Sequence, residues 1–300
     1  MNELAAVLES NDIGFDRGQF GESAVVKFIR AGNKLLLIQP NLNFRAITTN
    51  IEEMKSVEEA FAQSVLFGFP IEEQQNGYFL IDVSSFFLGD AHGVSKRLKD
   101  AKQGTYKLDL SKSAFYLERT KAFPKNVEFE TLLTFQGEAE GNYIKSVSPN
   151  SSFVTVRQHH SFIELPDDNY EKRRFDTRSG AIDFSYLDYA TPIESSIKKQ
   201  FIIRHRLEKK NPELTVSEAK EPIIYYLDRG APEPVRYALL EGGSWWNEAF
   251  EAIGYKDAFQ IKMLPEGVDP LDMRYNVIQW VHRATRGWSY GVAVVDTRTC

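Results

Sequence analysis

The chain of 300 residues has a single cysteine, and that cysteine is its last residue, Cys300. One cysteine excludes a disulfide within the chain and a zinc site built from several thiolates. A thiol at a chain end lacks the fixed surroundings that activate a nucleophile. The cysteine content also does not determine the cellular compartment of the protein, because oxidising compartments permit disulfides without requiring them.

Long apolar runs are absent as well. No segment approaches the roughly 20 apolar residues that a membrane-spanning helix needs. The first residues, Met1 to Leu4, have neither the basic segment nor the apolar segment of a signal peptide. The chain has 42 acidic and 36 basic residues, for a net charge of −6. We therefore predict a soluble globular protein with no membrane span and no nucleic-acid partner, since nucleic-acid binders usually carry a basic face.

The common catalytic motifs are missing. The five histidines do not form His-Glu-x-x-His, which places two zinc-binding imidazoles one helical turn apart. There is no Gly-x-Ser-x-Gly, Walker loop, Gly-x-Gly-x-x-Gly or EF-hand pattern. His159 and His160 are neighbours on a predicted strand, so their side chains point to opposite faces. We interpret them as strand histidines satisfied by hydrogen bonds, and we predict no catalytic residue and no metal ligand in this chain.

The first two-thirds of the chain is rich in strand signals. Aromatic residues make up 13% of the sequence, which favours sheet. Asn50, followed by Glu53, predicts a capped helix over residues 51–62, and a short basic helix is predicted over 93–101. Residues 166–196 are polar and indicate a loop. Strands are predicted at residues 24–30, 34–39, 65–71, 78–83, 113–118, 126–135, 143–147 and 153–164.

The pattern changes after residue 221. An apolar strand at 223–227 is followed by a helix that begins near Pro232 and ends before Gly254. Strands are then predicted at 259–264, 276–283 and 288–296, so the first two strands and the helix form a right-handed βαβ unit. Gly242 and Gly243 interrupt the helix, and we attribute them to close packing on the sheet.

These patterns predict an α+β protein. Its N-terminal domain, residues 1–205, is expected to be mainly antiparallel sheet. Residues 206–300 are expected to form an incomplete α/β unit in the order strand, helix, strand, strand, strand. The basic cluster at residues 204–210 is interpreted as a solvated or interdomain face.

Several blocks of the sequence resemble one family. They lie at residues 14–19, 159–166, 204–212, 217–218, 222–228, 245–252 and 274–283. In this order they resemble bacterial zinc-dependent metalloproteases of the EcxA-like metzincin group, which carry an N-terminal β domain of the DUF5117 type. The resemblance covers essentially the whole chain. It implies that residues 206–300 are the start of a metzincin-like catalytic domain.

The resemblance also implies a function. The full-length enzyme would hydrolyse peptide bonds with a zinc ion bound by His-Glu-x-x-His-x-x-Gly-x-x-His, a motif that should follow a further strand. No residue of that motif maps onto this chain, so we expect no zinc to be bound here. We expect the chain to be a fragment of a periplasmic or secreted protein. Its partners would be a peptide or protein substrate and the remainder of its own catalytic domain.

One substrate-binding segment is implied within the chain. By the resemblance, the strand at 288–296 is the sheet edge along which an extended substrate lies, with Trp288, Ser289, Tyr290 and Gly291 in contact with it. An ordinary hairpin strand with core aromatics is the alternative. For the whole chain, the alternative to a peptidase fragment is a non-catalytic β-rich binding or scaffold module of a secreted protein.

Overall fold

The computed structural model describes residues 2–6, 19–21, 23–282, 289, 291 and 293–298. Its strands are β1 (Asn2–Ala6), β2 (Gln19–Phe20), β3 (Lys27–Ala31), β4 (Lys34–Gln39), β5 (Phe44–Arg45), β6 (Ser64–Gln75), β7 (Tyr78–Ile81), β8 (Gly104–Leu108), β9 (Ala114–Phe115), β10 (Lys121–Ala122), β11 (Asn126–Ala139), β12 (Phe153–Ile163), β13 (Asp183–Asp188), β14 (Lys198–Ile202), β15 (Ser217–Glu218), β16 (Ile223–Leu227), β17 (Tyr255–Lys256), β18 (Phe259–Met263) and β19 (Asn276–Ile278). Its α-helices are α1 (Ile51–Ala60), α2 (Ser84–Phe87), α3 (Val94–Asp100), α4 (Asn142–Val147), α5 (Glu233–Ser244) and α6 (Trp246–Ala252).

The largest sheet is antiparallel and is built around β11 and β12. These two strands pair without interruption from Asn126↔Ile163 to Gln136↔Phe153, and β1 pairs with the other edge of β12. One face of the sheet holds the main apolar core. Its buried side chains come from α3, β8, β11, α4 and β12, and they are Val94, Leu98, Tyr106, Leu133, Phe135, Ile144, Val154 and Val156. The mainly antiparallel sheets, with helices packed beside them, confirm the predicted α+β class.

The strands of a second antiparallel sheet, whose order is β3-β4-β6-β7, were predicted from the sequence. The hairpin from β3 to β4 turns at Gly32, whose φ of +62° is the left-handed conformation that glycine adopts without strain. The helix predicted over residues 51–62, between β4 and β6, is also present as α1. The Asn50 side chain caps this helix by accepting hydrogen bonds from the backbone N–H groups of Glu52 and Glu53.

Three sequence predictions in this region were wrong. Residues 142–147 form helix α4 and not a strand, because Ile144 packs in the core and its N–H donates to Gln103 Oε1 at 3.2 Å. The strand predicted over 113–118 is reduced to β9. The loop predicted over 166–196 contains β13, which pairs with β14 and β5 and buries Tyr186. Tertiary pairing overrode weak local signals in each case.

The C-terminal unit is a parallel sheet with β16 between β18 and β19. The long helix predicted before β18 is divided at Trp245 into α5 and α6. Gly243 lies against the sheet as expected, since a Cβ there would be 1.8 Å from Ile261 Cδ1, whereas Gly242 faces open space. Gly254 follows α6 with a φ of +86°.

The antiparallel sheet and the parallel unit meet at Asn126. Its Nδ2 donates to Leu271 O at 2.8 Å, and its Oδ1 accepts from Met273 N at 3.2 Å. Beside it, Lys121 Nζ lies 2.5 Å from Asp269 Oδ2. The loop that leads into β19 is therefore hydrogen-bonded to the start of β11.

Candidate functional site

The segment predicted to bind substrate is only partly described. Trp288 and Tyr290 lie outside the described residues. Ser289 and Gly291 are described, and neither belongs to a strand. Residues 293–296 belong to no strand either, and β19 ends at Ile278, whereas the prediction continued to residue 283. The substrate-binding role of the segment stays a prediction.

A cluster of buried charged side chains lies on the polar face of β11 and β12. His159 is 2% exposed and is placed between two carboxylates. Its Nε2 is 2.5 Å from Glu128 Oε2, and its Nδ1 is 3.1 Å from Glu130 Oε2. Ser161 and Asn126 also donate to Glu128. Arg119 Nε lies 2.9 Å from Glu130 Oε2 and Arg157 Nη1 lies 3.4 Å from Glu130 Oε1. This polar cluster comprises Arg119, Asn126, Glu128, Glu130, Arg157, His159 and Ser161.

The strand register explains how the cluster forms. Glu130 is directly opposite His159, and Glu128 is directly opposite Ser161, so these side chains project to the same face. Buried carboxylates are tolerated only when hydrogen bonds and opposite charges replace their hydration. Here imidazole, guanidinium, hydroxyl and amide groups do so.

The other face of β12 carries His160 and Gln158 in an apolar setting. Gln158 Nε2 lies 2.8 Å from His160 Nε2 and donates to Gly89 O at 2.9 Å, while Ala91 N donates to Gln158 Oε1 at 3.0 Å. Burial lowers the pKa of His160 to about 3, with a smaller contribution from His92. Burial likewise lowers the pKa of His92 to about 4. Both imidazoles are therefore neutral at physiological pH. His159 and His160 do face opposite sides and are hydrogen-bonded, as predicted.

These histidines do not fit a zinc site. Zinc takes an imidazole nitrogen at about 2.0–2.1 Å, with three or four ligands converging on the metal. Both nitrogens of His159 are directed at carboxylates, and Nε2 of His160 is directed at Gln158. Across the residues described, no three His, Cys, Asp or Glu side chains converge so as to hold a metal ion. No chemical step through a metal follows from this part of the chain.

A cleft of about 1120 Å³ opens between the β3-β4 sheet and the end of β12. Its walls include Leu37 and Gln39 of β4, residues 160–166 at the end of β12, and residues 293–297 near the C-terminus. Its volume is large for a small-molecule pocket, and its lining is a mixture of apolar residues and polar or charged residues. The cleft lies between the N-terminal sheets and the end of the predicted substrate strand.

Sequence reasoning missed most of these residues. It identified the two adjacent histidines but not Glu128, Glu130 or Arg157. The available signal was the alternation of charged and apolar residues along 126–135 and 153–163, which indicates strands with one apolar and one polar face. It did not say which charges would be opposite each other, because register depends on the paired strand.

No helix in the described part of the chain combines the length and the apolar character needed to cross a bilayer. Neither the search among curated proteins nor the search among solved structures found a match for the chain. One family model does match, over residues 18–210, and its description is a domain of unknown function, DUF5117. Because that match spans more than half of the 300 residues, the protein belongs to the DUF5117 family.

Proposed function

We propose that this chain is part of a zinc-dependent metallopeptidase of the metzincin type, secreted or periplasmic. Residues 1–205 would be its N-terminal β domain, and residues 206–300 would be the start of its catalytic domain. The zinc ligands and the glutamate base of such an enzyme are not among these 300 residues. They would have to come from another segment, and the present chain alone would be inactive.

The observation that carries the proposal is the parallel unit beside a DUF5117 domain. β16, the helical crossover and β18 form a parallel βαβ arrangement, and β19 adds to the other edge of β16. This agrees with the strand, helix, strand, strand order that the family resemblance implies for the first part of a metzincin-like domain. The hydrogen bonds of Asn126 to Leu271 and Met273 fix this unit to the β domain.

The test is a comparison of two chains, the present one and one extended beyond residue 300 to include any His-Glu-x-x-His motif. Both are assayed on an unstructured protein substrate with and without a zinc chelator. We expect the extended chain alone to cleave the substrate, with activity lost to the chelator and restored by zinc. A peptide bond is attacked by a zinc-bound water that a carboxylate base helps to deprotonate. The matched control replaces the glutamate of the motif by glutamine.

Two results would contradict the proposal. One is a coding sequence that continues without any such motif. The other is a folded extended chain that binds zinc but cleaves nothing. A chelator-sensitive activity that stays with the 300-residue chain through purification would contradict the predicted inactivity of this part.

A second function, that of a non-catalytic binding module, is favoured by the cleft of about 1120 Å³. A binding module would use this cleft for its ligand and would need no metal. The same two chains separate the functions, because a binding module gives no chelator-sensitive cleavage in either of them.

A further inference from the structure

The small sheet β14-β13-β5 carries an aromatic platform. Phe184 and Tyr186 lie on the same face of β13, and Phe201 of β14 is directly opposite Phe184. The rings of Tyr186 and Phe201 are stacked, with centroids 5.9 Å apart, and Tyr186 is buried. This aromatic platform, formed by Phe184, Tyr186 and Phe201, offers ring faces to cations above it.

Two cations from different parts of the domain occupy the platform. The Arg45 guanidinium carbon is 4.1 Å from the centroid of the Tyr186 ring. The Lys172 ammonium is 5.3 Å from the same centroid and 5.5 Å from that of Phe201. Arg45 is also fixed by its own backbone pairing with Asp188 and by donation from Nε to Leu42 O at 2.6 Å.

Both cations donate to the backbone of one short segment. Arg45 Nη1 donates to Arg298 O at 3.0 Å, and its Nη2 donates to Thr297 O. Lys172 Nζ donates to the same Arg298 oxygen at 3.4 Å. Two positive charges that converge on one carbonyl oxygen repel each other, and the ring faces and the carbonyl dipoles offset part of that repulsion.

The side chain of Arg298 adds contacts to a further loop. Its Nη2 donates to Pro166 O at 2.8 Å, and its Nη1 lies 3.2 Å from Asp168 Oδ1. Its guanidinium and its backbone N–H also bond to Asp296, which closes a local turn. Residues 296–298 thus contact the DUF5117 domain at its β5 and at two points of the segment between β12 and β13, residues 166–168 and Lys172.

We propose that Arg45, Lys172 and Tyr186 form a clamp by which the DUF5117 domain holds residues 296–298. By holding them, the clamp positions the predicted substrate strand, residues 288–296, whose last residue lies within the clamped segment. This second part rests on the proposed peptidase function. Arg45 and Lys172 are then positioning residues, which contact neither substrate nor metal and act through the backbone of the clamped segment.

The arrangement suits a positioning role because it recognises backbone and not sequence. A guanidinium donates to two neighbouring carbonyl groups in one plane while its face stacks on a ring. Lysine provides a point charge with no such fork. Replacing Arg45 by lysine therefore keeps the charge on the platform but loses one of the two carbonyl contacts.

The clamp is tested first on the 300-residue chain. A nitroxide is attached at Val294→Cys, an exposed position, in a Cys300→Ser background so that the label has one site. Arg45→Met and Lys172→Met are compared with the unsubstituted labelled chain by electron paramagnetic resonance. We expect the rotational correlation time of the label to shorten roughly threefold in Arg45→Met. A smaller change is expected in Lys172→Met and in Arg45→Lys.

Matched controls exist elsewhere in the chain. Arg30 stacks on Phe79 at 5.5 Å and Lys112 lies over Phe153 at 5.2 Å, so each makes a similar cation–ring contact with residues outside the clamp. Arg30→Met and Lys112→Met should leave the rotational correlation time of the label unchanged. Circular dichroism checks that every variant is folded, and Lys172→Met provides an independent test should Arg45→Met not fold. Unchanged label mobility in both folded clamp variants would overturn the inference.

The consequence for catalysis is tested in the extended chain described under the proposed function. If the clamp positions the substrate strand, Arg45→Met should raise KM about tenfold with a much smaller change in kcat, at unchanged zinc content. Arg45→Lys should restore part of the loss. An active extended chain whose KM is unchanged by Arg45→Met and by Arg45→Lys would overturn the positioning role. An inactive extended chain would contradict the peptidase function, while the label measurement would still decide whether the clamp exists.

Discussion

The β11-β12 pair and the parallel sheet around β16 are stabilised in different ways. The β11-β12 ladder continues for eleven paired positions and has buried side chains on both faces. The β16-β18 ladder has five paired positions, and neither α5 nor α6, which accompany it, has a fully buried residue. Trp245 and Trp246 on these helices are each 64% exposed.

This difference shows how burial determines local stability. Burying apolar side chains contributes about 25 cal/mol per Å², so a helix that leaves two tryptophans exposed gains little from them. The antiparallel sheet has buried apolar side chains on one face and the buried polar cluster on the other. We infer that the β domain forms the stable part of the chain, and that the parallel unit depends on its contacts with that domain.

The largest expected effect concerns the polar cluster. Glu130→Ala should lower the free energy of unfolding by about 3–5 kcal/mol, because it leaves His159, Arg119 and Arg157 without their shared carboxylate. Urea unfolding followed by circular dichroism measures the change. Glu164→Ala, which removes an exposed ion pair with Lys125, is the control and should cost at most about 1 kcal/mol. Equal costs for the two substitutions would mean that Glu130 contributes no more to stability than an exposed ion pair does.

Hydrogen exchange tests whether the parallel sheet is less stable than the antiparallel sheet. We expect backbone amides of β16 and β18 to exchange about 100-fold faster than those of β11 and β12, because a local opening releases the smaller sheet while the larger one stays folded. Mass spectrometry of peptic peptides from the native chain gives both rates. Equal protection in the two sheets would show that the chain unfolds as one cooperative unit.

The buried His160 makes the stability of the β domain depend on pH. Its pKa is about 3 in the folded protein and near 6.5 in the unfolded chain, so the unfolded chain binds more protons between these values. Stability is therefore lost as the pH falls below about 6.5. At pH 5 this residue should lower the free energy of unfolding by roughly 2 kcal/mol relative to pH 8.

Urea unfolding at the two pH values measures this loss, with His160→Gln as the comparison. Glutamine retains a group that accepts a hydrogen bond from Gln158, but it does not titrate. The variant should lose less stability between pH 8 and pH 5 than the unsubstituted chain. The same loss in both chains would assign the pH dependence to other groups. Asp167 and Asp176 have pKa values lowered to about 2 by Arg206 and Arg178, so they change the free energy of unfolding only below about pH 4.

The smallest effect separates two adjacent glycines on α5. Gly243→Ala should destabilise the parallel unit by about 1–2 kcal/mol, because the new Cβ collides with Ile261 Cδ1 and either the Ile261 side chain or the helix must shift. Gly242→Ala meets no atom within 4 Å and should instead stabilise the helix by about 0.5–1 kcal/mol. Exchange rates of β18 amides in the two variants report the change. A shift in the same direction in both would mean that packing against Ile261 is not decisive.

Local signals predicted the elements whose geometry is fixed by neighbouring residues. Strands β3 and β4, the Asn50 cap of α1 and the end of α6 before Gly254 all follow from the conformations that these residue types prefer. The elements that failed are those with weak local preference. Helix α4 and strand β13 are both specified by partners distant in the sequence, namely Gln103 for α4 and residues 198–202 for β13.

The sequence by itself determined the strand-rich first part, the βαβ order that follows, and the lack of a His-Glu-x-x-His motif within these residues. Only the tertiary structure decided which charged residues meet. The register of β11 and β12 placed Glu130 against His159, and the packing of β5 and β13 placed Arg45 and Lys172 around Tyr186 and the carbonyl groups of Thr297 and Arg298. These groups are up to 253 residues apart. A periodic pattern tells which face a side chain occupies, but the partner across that face depends on which strands become neighbours, and this is set by the packing of the whole chain.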